Sequence, residues 1–199
     1  MGIVGRRPEI GGSTGTDDMS MPLSTTVPSR TEGAIVVSNA PSPVLFWSVV
    51  AFVIALDMVT KRMAVANLTP RHMPHEVIGD YVRFTLAYNP GAAFGFNLGP
   101  ASRWIFATLS VAIVAVLLRS TRQLIAMSKF AAVGVPIVIG GAIGNLLDRV
   151  RFREGVVDFI DIGVGHVRFW TFNVADAAVT VGAVCLVIAL WRHDNEIVS

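Results

Sequence analysis

Four long apolar runs alternate with polar segments along the chain, at residues 44–66, 101–118, 130–147 and 174–191. A helix needs roughly 20 residues to cross about 30 Å of hydrocarbon, so each run predicts a transmembrane helix. The third run contains Pro136 and the glycines Gly134, Gly140, Gly141 and Gly144. Gly140 and Gly144 share a helix face, where a neighbouring backbone can approach closely. Between the first and second runs, the larger apolar residues of 81–88 alternate as in a half-buried strand. Asn89-Pro90-Gly91 then marks a turn. After the third run, residues 156–162 and 167–172 read as strands joined around Gly163 and Gly165. The pattern predicts an all-α membrane protein of four transmembrane helices, carrying a small β cradle on the face opposite the 119–129 loop. Residues 1–43 are rich in Gly, Ser, Thr and Pro and lack the apolar core of a secretory signal. They predict a disordered N-terminal tail, and residues 192–199 a short C-terminal one.

Composition narrows the class. Of 199 residues, 53% are hydrophobic and 15% charged, against about 25% charged in soluble domains, so a soluble protein is disfavoured. The net charge of +2 is too small, and the basic residues too scattered, for a nucleic-acid surface. A single cysteine, Cys185, excludes an intrachain disulfide and a cysteine metal cluster; inside an apolar run it reads as a small core residue. An even number of crossings puts both termini on one side. The acid-free segment holding Arg119, Arg122 and Lys129 favours the cytoplasm. Arg71, Arg83 and Arg103 in one of the other loops, and Arg149, Arg151, Arg153 and Arg168 in the next, leave the charge count nearly balanced.

Ionisable residues in or beside membrane spans are costly and usually functional. Asp57 and Lys61 share a helix face and can pair, either as a self-neutralising pair or as part of a site. Asn145, Asp148 and Arg149 close the third span on one face. Arg149 there can hold a carboxylate in a bidentate contact, or the cluster simply orders the next loop. Asp158 and Asp161 alternate on a predicted strand, so only one can face the bundle. Asp158, between Val157 and Phe159, sits in an apolar setting that raises a carboxyl pKa. With Asn173 as N-cap, Asp176 falls at the third helical position, where a carboxylate answers the free amides and the helix dipole. That placement accounts for Asp176 structurally. Two carboxyl groups with opposed surroundings are also what an aspartic dyad requires. The chain has no His-Glu-x-x-His pair and no Gly-x-Ser-x-Gly elbow. His72, His75 and His166 read as surface histidines.

The segments 57–61, 89–95, 140–149, 155–159 and 172–176, in that order against four spans, make the chain resemble lipoprotein signal peptidase, or signal peptidase II, over about residues 44–191. The resemblance implies an aspartic endopeptidase with Asp158 and Asp176 as catalytic dyad. It implies that Asp57, Lys61, Asn89, Gly91, Asn145, Asp148, Arg149 and Asn173 line or support the site. The implied substrate is a diacylglyceryl-modified prolipoprotein, cut just before its lipidated lipobox cysteine. No metal and no cofactor are implied. Expected partners are lipid-modified prolipoproteins and membrane lipid, with no nucleic acid, and the protein is taken as a monomer. The expected location is the bacterial cytoplasmic (inner) membrane, with both termini cytoplasmic and both the cradle and the site near the outer face. Two other readings are a transporter or proton channel using Asp57, Asp148, Asp158 and Asp176 as a relay, and an inactive helper of inherited fold. Acids gathered at one membrane face suit hydrolysis better than a relay, and the presence of every motif residue argues against an inactive helper.

Overall fold

The computed structural model describes residues 42–91 and 98–198. The tail reading at residues 1–41 and the motif positions 92–95 lie outside the described residues. In chain order the elements are helix α1 (Pro43–Asn67), strands β1 (His75–Ile78) and β2 (Val82–Asn89), helices α2 (Ser102–Met127) and α3 (Lys129–Arg151), strands β3 (Val156–Val164) and β4 (Val167–Arg168), and helix α4 (Val174–Val198). All four helices are long and apolar enough to cross a membrane.

Local chemistry sets most of the helix starts. Ser42 caps α1, its Oγ accepting from Leu45 N at 3.2 Å, and Pro43 occupies the first turn, where no amide partner is needed. Ser128 Oγ accepts from Phe130 N at 3.1 Å and Ala131 N at 3.3 Å to begin α3. A 3-10 turn, Gly99–Ala101, leads into α2.

Two boundaries differ from the sequence expectation. The predicted 119–129 loop is not a loop: α2 runs through Met127, and Ser128 alone separates it from α3. Arg119 and Arg122 are exposed on the last turns of α2, where long basic side chains reach out of the apolar layer. Ile125 meanwhile stays buried with Phe46, Val50, Val135 and Ile139. Likewise α4 continues to Val198, past the expected end at residue 191.

Helix α3 is central, with most of its residues buried, while the other three spans mostly face outward. Its glycines make this possible. Gly140 and Gly144 lie under α1: a Cβ on Gly140 would stand 2.8 Å from Val53 Cβ, and one on Gly144 2.7 Å from Asp57 Oδ2. Gly141 lies against α4, where a Cβ would come 2.5 Å from the carbonyl oxygen of Ala175.

The four strands form an antiparallel sheet in the order β1-β2-β3-β4. Leu86, Val157 and Phe159 pack it onto Ala64 and Leu68 at the end of α1. The β2–β3 register places Ala87 opposite Asp158 and Asn89 opposite Val156, with an irregularity between Phe84 and Ala87. The strand expected over 167–172 is shorter than predicted. Only Val167–Arg168 pair regularly, and Phe172 rejoins β3 by a bridge to Ile160, leaving Phe169 and Trp170 exposed between them.

Replacing Gly141 with alanine should separate α3 from α4. The usual gain of about 1 kcal/mol from Gly to Ala in a helix cannot offset a 2.5 Å contact with backbone. Overpacking of this kind costs about 1–3 kcal/mol. The Gly141→Ala protein should therefore melt several degrees below wild type in detergent; an unchanged or higher midpoint would show that the two helices can part without cost.

Candidate active site

Strand β3 and the first turn of α4 bring Asp158 and Asp176 to one cavity of about 390 Å³, which Asn89, Phe169, Trp170 and Phe172 also line. Asp158 is buried and Asp176 half-buried. Alternation along β3 sends Asp161 elsewhere: Arg168 Nε donates to its Oδ1 at 2.6 Å, and Thr85 Oγ1 to its Oδ2 at 3.3 Å. Of the two aspartates on this strand, Asp158 is the one in the cavity.

The start of α4 is a reciprocal cap. Asp176 N donates to Asn173 Oδ1 at 2.9 Å, and Asn173 N donates back to Asp176 Oδ2 at 3.2 Å, which satisfies two amides otherwise without partners. The remaining polar atoms of the cap point into the site. Asn173 Nδ2 donates to Asp158 Oδ1 at 2.7 Å and to Asn145 Oδ1 at 3.0 Å, while Asn145 Nδ2 donates to Asp176 Oδ1 at 2.7 Å. Burial pushes the Asp158 carboxyl up to about 7, and the nearby Asp176 adds to the effect; hydrogen bonds from Asn89 and Asn173 pull the other way. Asp158 therefore gives up its proton less readily than an ordinary carboxyl group.

Beneath this pair lies Lys61, almost fully buried. Its ammonium pairs with Asp57 Oδ2 at 2.7 Å and Asp148 Oδ2 at 2.9 Å and donates to Asn145 Oδ1 at 2.9 Å. Each acceptor in turn reaches another element. Asp57 Oδ1 takes the amide of Ala175 in the first turn of α4 at 2.9 Å, and Asp148 Oδ2 takes the amide of Val157 in β3 at 3.2 Å.

Of the two readings open for Arg149, the structure shows no bidentate carboxylate contact among the described residues and favours the ordering of neighbouring chain. Its Nη2 donates to the carbonyl of Gly91 at 3.1 Å and its Nη1 to that of Asn145 at 3.3 Å. It acts as a strut between α3 and the end of β2. Its reach to the turn after β2 crosses 58 positions and had no signature in the sequence. Asn89 Oδ1 accepts from Gly91 N at 2.9 Å, closing the predicted turn. Gly155, with φ +102°, permits the close approach here: a Cβ would lie 2.1 Å from the carbonyl oxygen of Asn89.

All ten residues singled out from the sequence thus belong to one connected cluster. The aromatic wall of Phe169, Trp170 and Phe172 was missed. Its one signal was three aromatics within four positions immediately before a helix cap, read instead as a strand. Among the remaining candidates, His166 is exposed and Cys185 is partly exposed on α4.

A family model described as signal peptidase (SPase) II matches residues 49–192. Lipoprotein signal peptidases are among the similar curated proteins. That of Streptomyces coelicolor is 39% identical over 170 residues, covering 83% of this chain and 76% of the relative. That of Pseudomonas putida is 41% identical over 147 residues, covering 72% and 85%, and that of Mycobacterium avium 41% identical over 162 residues, covering 78% and 84%. Two solved structures, each described as a bacterial membrane enzyme, superpose on the chain. One has a TM-score of 0.69 at 28% identity, covering 79% of this chain and 93% of that one; the other has a TM-score of 0.64 at 29% identity, covering 77% and 96%.

Asp57→Ala removes one acceptor from a buried ammonium and another from the first turn of α4. Breaking a buried pair costs about 3–5 kcal/mol, and because Lys61 keeps Asp148 and Asn145, the lower end of that range is expected. Thermal unfolding in detergent should show the loss. Asp57→Asn, which keeps an acceptor for Ala175 N, should lose less. Equal midpoints for Asp57→Ala and wild type would mean that Asp57 does not anchor α4.

Proposed function

The chain belongs to the signal peptidase II family of aspartic peptidases, and on that footing we propose that Asp158 and Asp176 are its catalytic pair. As a member, it is a multi-pass membrane endopeptidase that cleaves the signal peptide from prolipoproteins. The observation that carries the assignment of the pair is the opposed surroundings of two carboxyl groups facing one cavity: Asp158 buried and pushed up to about 7, Asp176 held by a helix start and by Asn145.

In this reading Asp176 is the general base and Asp158 the general acid. Asp176 takes a proton from water as the water oxygen bonds to the scissile carbonyl carbon. Asp158 gives its proton to the carbonyl oxygen, forming a tetrahedral diol. Collapse of the diol breaks the C–N bond: the proton held by Asp176 passes to the leaving amine, and a diol hydroxyl returns its proton to Asp158. One water is consumed, and both acids regain their starting states. Asn173 touches both acids and Asn145 one of them, so these amides orient the pair; Lys61, itself paired with Asp57 and Asp148, holds the oxygen of the Asn145 amide. Asn89 supports Asp158, while Gly91 and Arg149 fix the turn that carries Asn89.

The aromatic wall suits an extended peptide beside an apolar chain. The substrate proposed is a prolipoprotein bearing a diacylglyceryl group, its acyl chains remaining in lipid while the peptide before the lipidated cysteine enters the cavity. The proposed setting is the bacterial cytoplasmic membrane, with a monomer whose termini are cytoplasmic and whose sheet and carboxyl groups lie at the outer face.

Asp158→Asn and Asp176→Asn should each lower cleavage of a diacylglyceryl-modified precursor by at least about a thousandfold, read as a gel shift, with the wild-type melting temperature preserved. Substantial turnover by either folded variant removes that residue from the pair. The acid must be protonated to act and loses its proton as pH rises through about 7. Wild-type kcat/KM should therefore fall about tenfold per pH unit on the alkaline side, with an apparent value belonging to the pair. A flat profile from pH 6 to 9 would contradict that role.

Orientation is tested with single cysteines at Lys129 and His166, both exposed, in a Cys185→Ala background. A membrane-impermeant thiol reagent applied to intact cells should label position 166 alone. Labelling at position 129 instead would invert the proposed topology.

A further inference from the structure

A separate cavity of about 190 Å³ opens between the ends of α1 and α3 and the start of β3. Lys61 and Asp148 form part of its lining, and both are engaged with each other and with buried partners. Arg62 and Arg151 also line it, and both are exposed. Among the described residues neither makes an ion pair or a hydrogen bond. The apolar part includes Val65 and Phe152, 36% and 40% exposed, in the last turn of α1 and just past the end of α3. Two guanidinium groups thus flank an apolar recess at the end of two membrane spans, on the face that carries the sheet.

The local charges set what such a recess attracts. Lys61, Arg62 and Arg151 stand against Asp57 and Asp148, which leaves one positive charge in excess. Guanidinium groups match phosphate geometry with paired hydrogen bonds. An apolar recess beside them at the end of two spans gives room for an acyl chain. A free anion would use the arginines but not the apolar wall, whereas a phospholipid uses both.

We propose that this cavity binds an anionic phospholipid, its phosphodiester held between Arg62 and Arg151 and an acyl chain lying along the groove between α1 and α3. The site is distinct from the cavity of Asp158 and Asp176. It adjoins that site through Lys61, so bound lipid would press on the support of the site and not on the reacting groups.

The test uses the purified full chain in dodecyl maltoside, titrated with dioleoylphosphatidylglycerol, with dioleoylphosphatidylcholine and with glycerol phosphate, reading retained lipid by mass spectrometry of the intact complex. Wild type should retain the phosphatidylglycerol at least tenfold more tightly than the phosphatidylcholine, and glycerol phosphate should not compete. Arg62→Gln/Arg151→Gln should lose the preference while cleaving precursor at the wild-type rate in detergent. Arg62→Lys/Arg151→Lys, which keeps the charge, should retain most of it. Equal retention of the two lipids by wild type, an undiminished preference in the glutamine variant, or its loss in the lysine variant would each overturn the proposal. Competition by glycerol phosphate as effective as by the lipid would overturn it in favour of a site for small anions.

Discussion

The buried ammonium of Lys61 is the constraint around which the rest is arranged. A charge this far from water is tolerated only if opposite charges and hydrogen bonds compensate it. Here the acceptors come from α1 and α3. Those acceptors bind the amides of α4 and β3. Four elements with little sequence in common are thereby placed relative to one point. The glycines of α3 serve the same arrangement, since Gly144 leaves room for the carboxylate of Asp57. Removing the bulk of a side chain at that position is what lets a polar contact form inside an apolar bundle.

Much of this was legible in the sequence where a local rule sufficed. Asn173 before Asp176 is a capping signal, and α4 begins there. Period-two alternation separated Asp158 from Asp161, and the spacing of Asp57 and Lys61 foretold their contact. Local rules failed where the outcome rests on distant partners. Arg119 and Arg122 looked like loop residues, yet Ile125 just beyond them packs into the core and carries the helix onward. For Arg149 the sequence left a carboxylate partner and a loop-ordering role both open, and its guanidinium reaches the carbonyl of Gly91, 58 positions away. The reach of Asn173 to Asn145 crosses 28 positions, and no periodicity encodes it.

Asn173 also shows how closely stability and chemistry are joined here. Its backbone and Oδ1 complete the cap of α4, and its Nδ2 reaches Asp158 and Asn145. The residue that starts a membrane helix is the one that touches both acids, Asp158 through its side chain and Asp176 through its backbone amide. A weakened cap would move the cavity, and a repositioned cavity would leave helix amides without partners.

The one-residue connection at Ser128 has a consequence for how the protein sits in the bilayer. A single residue extends only about 3.5 Å, a small fraction of the hydrocarbon thickness of about 30 Å. The end of α2 and the start of α3 therefore lie at the same depth, and the two spans meet in a tight hairpin. Arg119, Arg122 and Lys129 are gathered at its turn and would all have to be dragged through lipid for the hairpin to invert. Those three charges belong to one end of the hairpin, so both crossings share whatever preference they have for one membrane face.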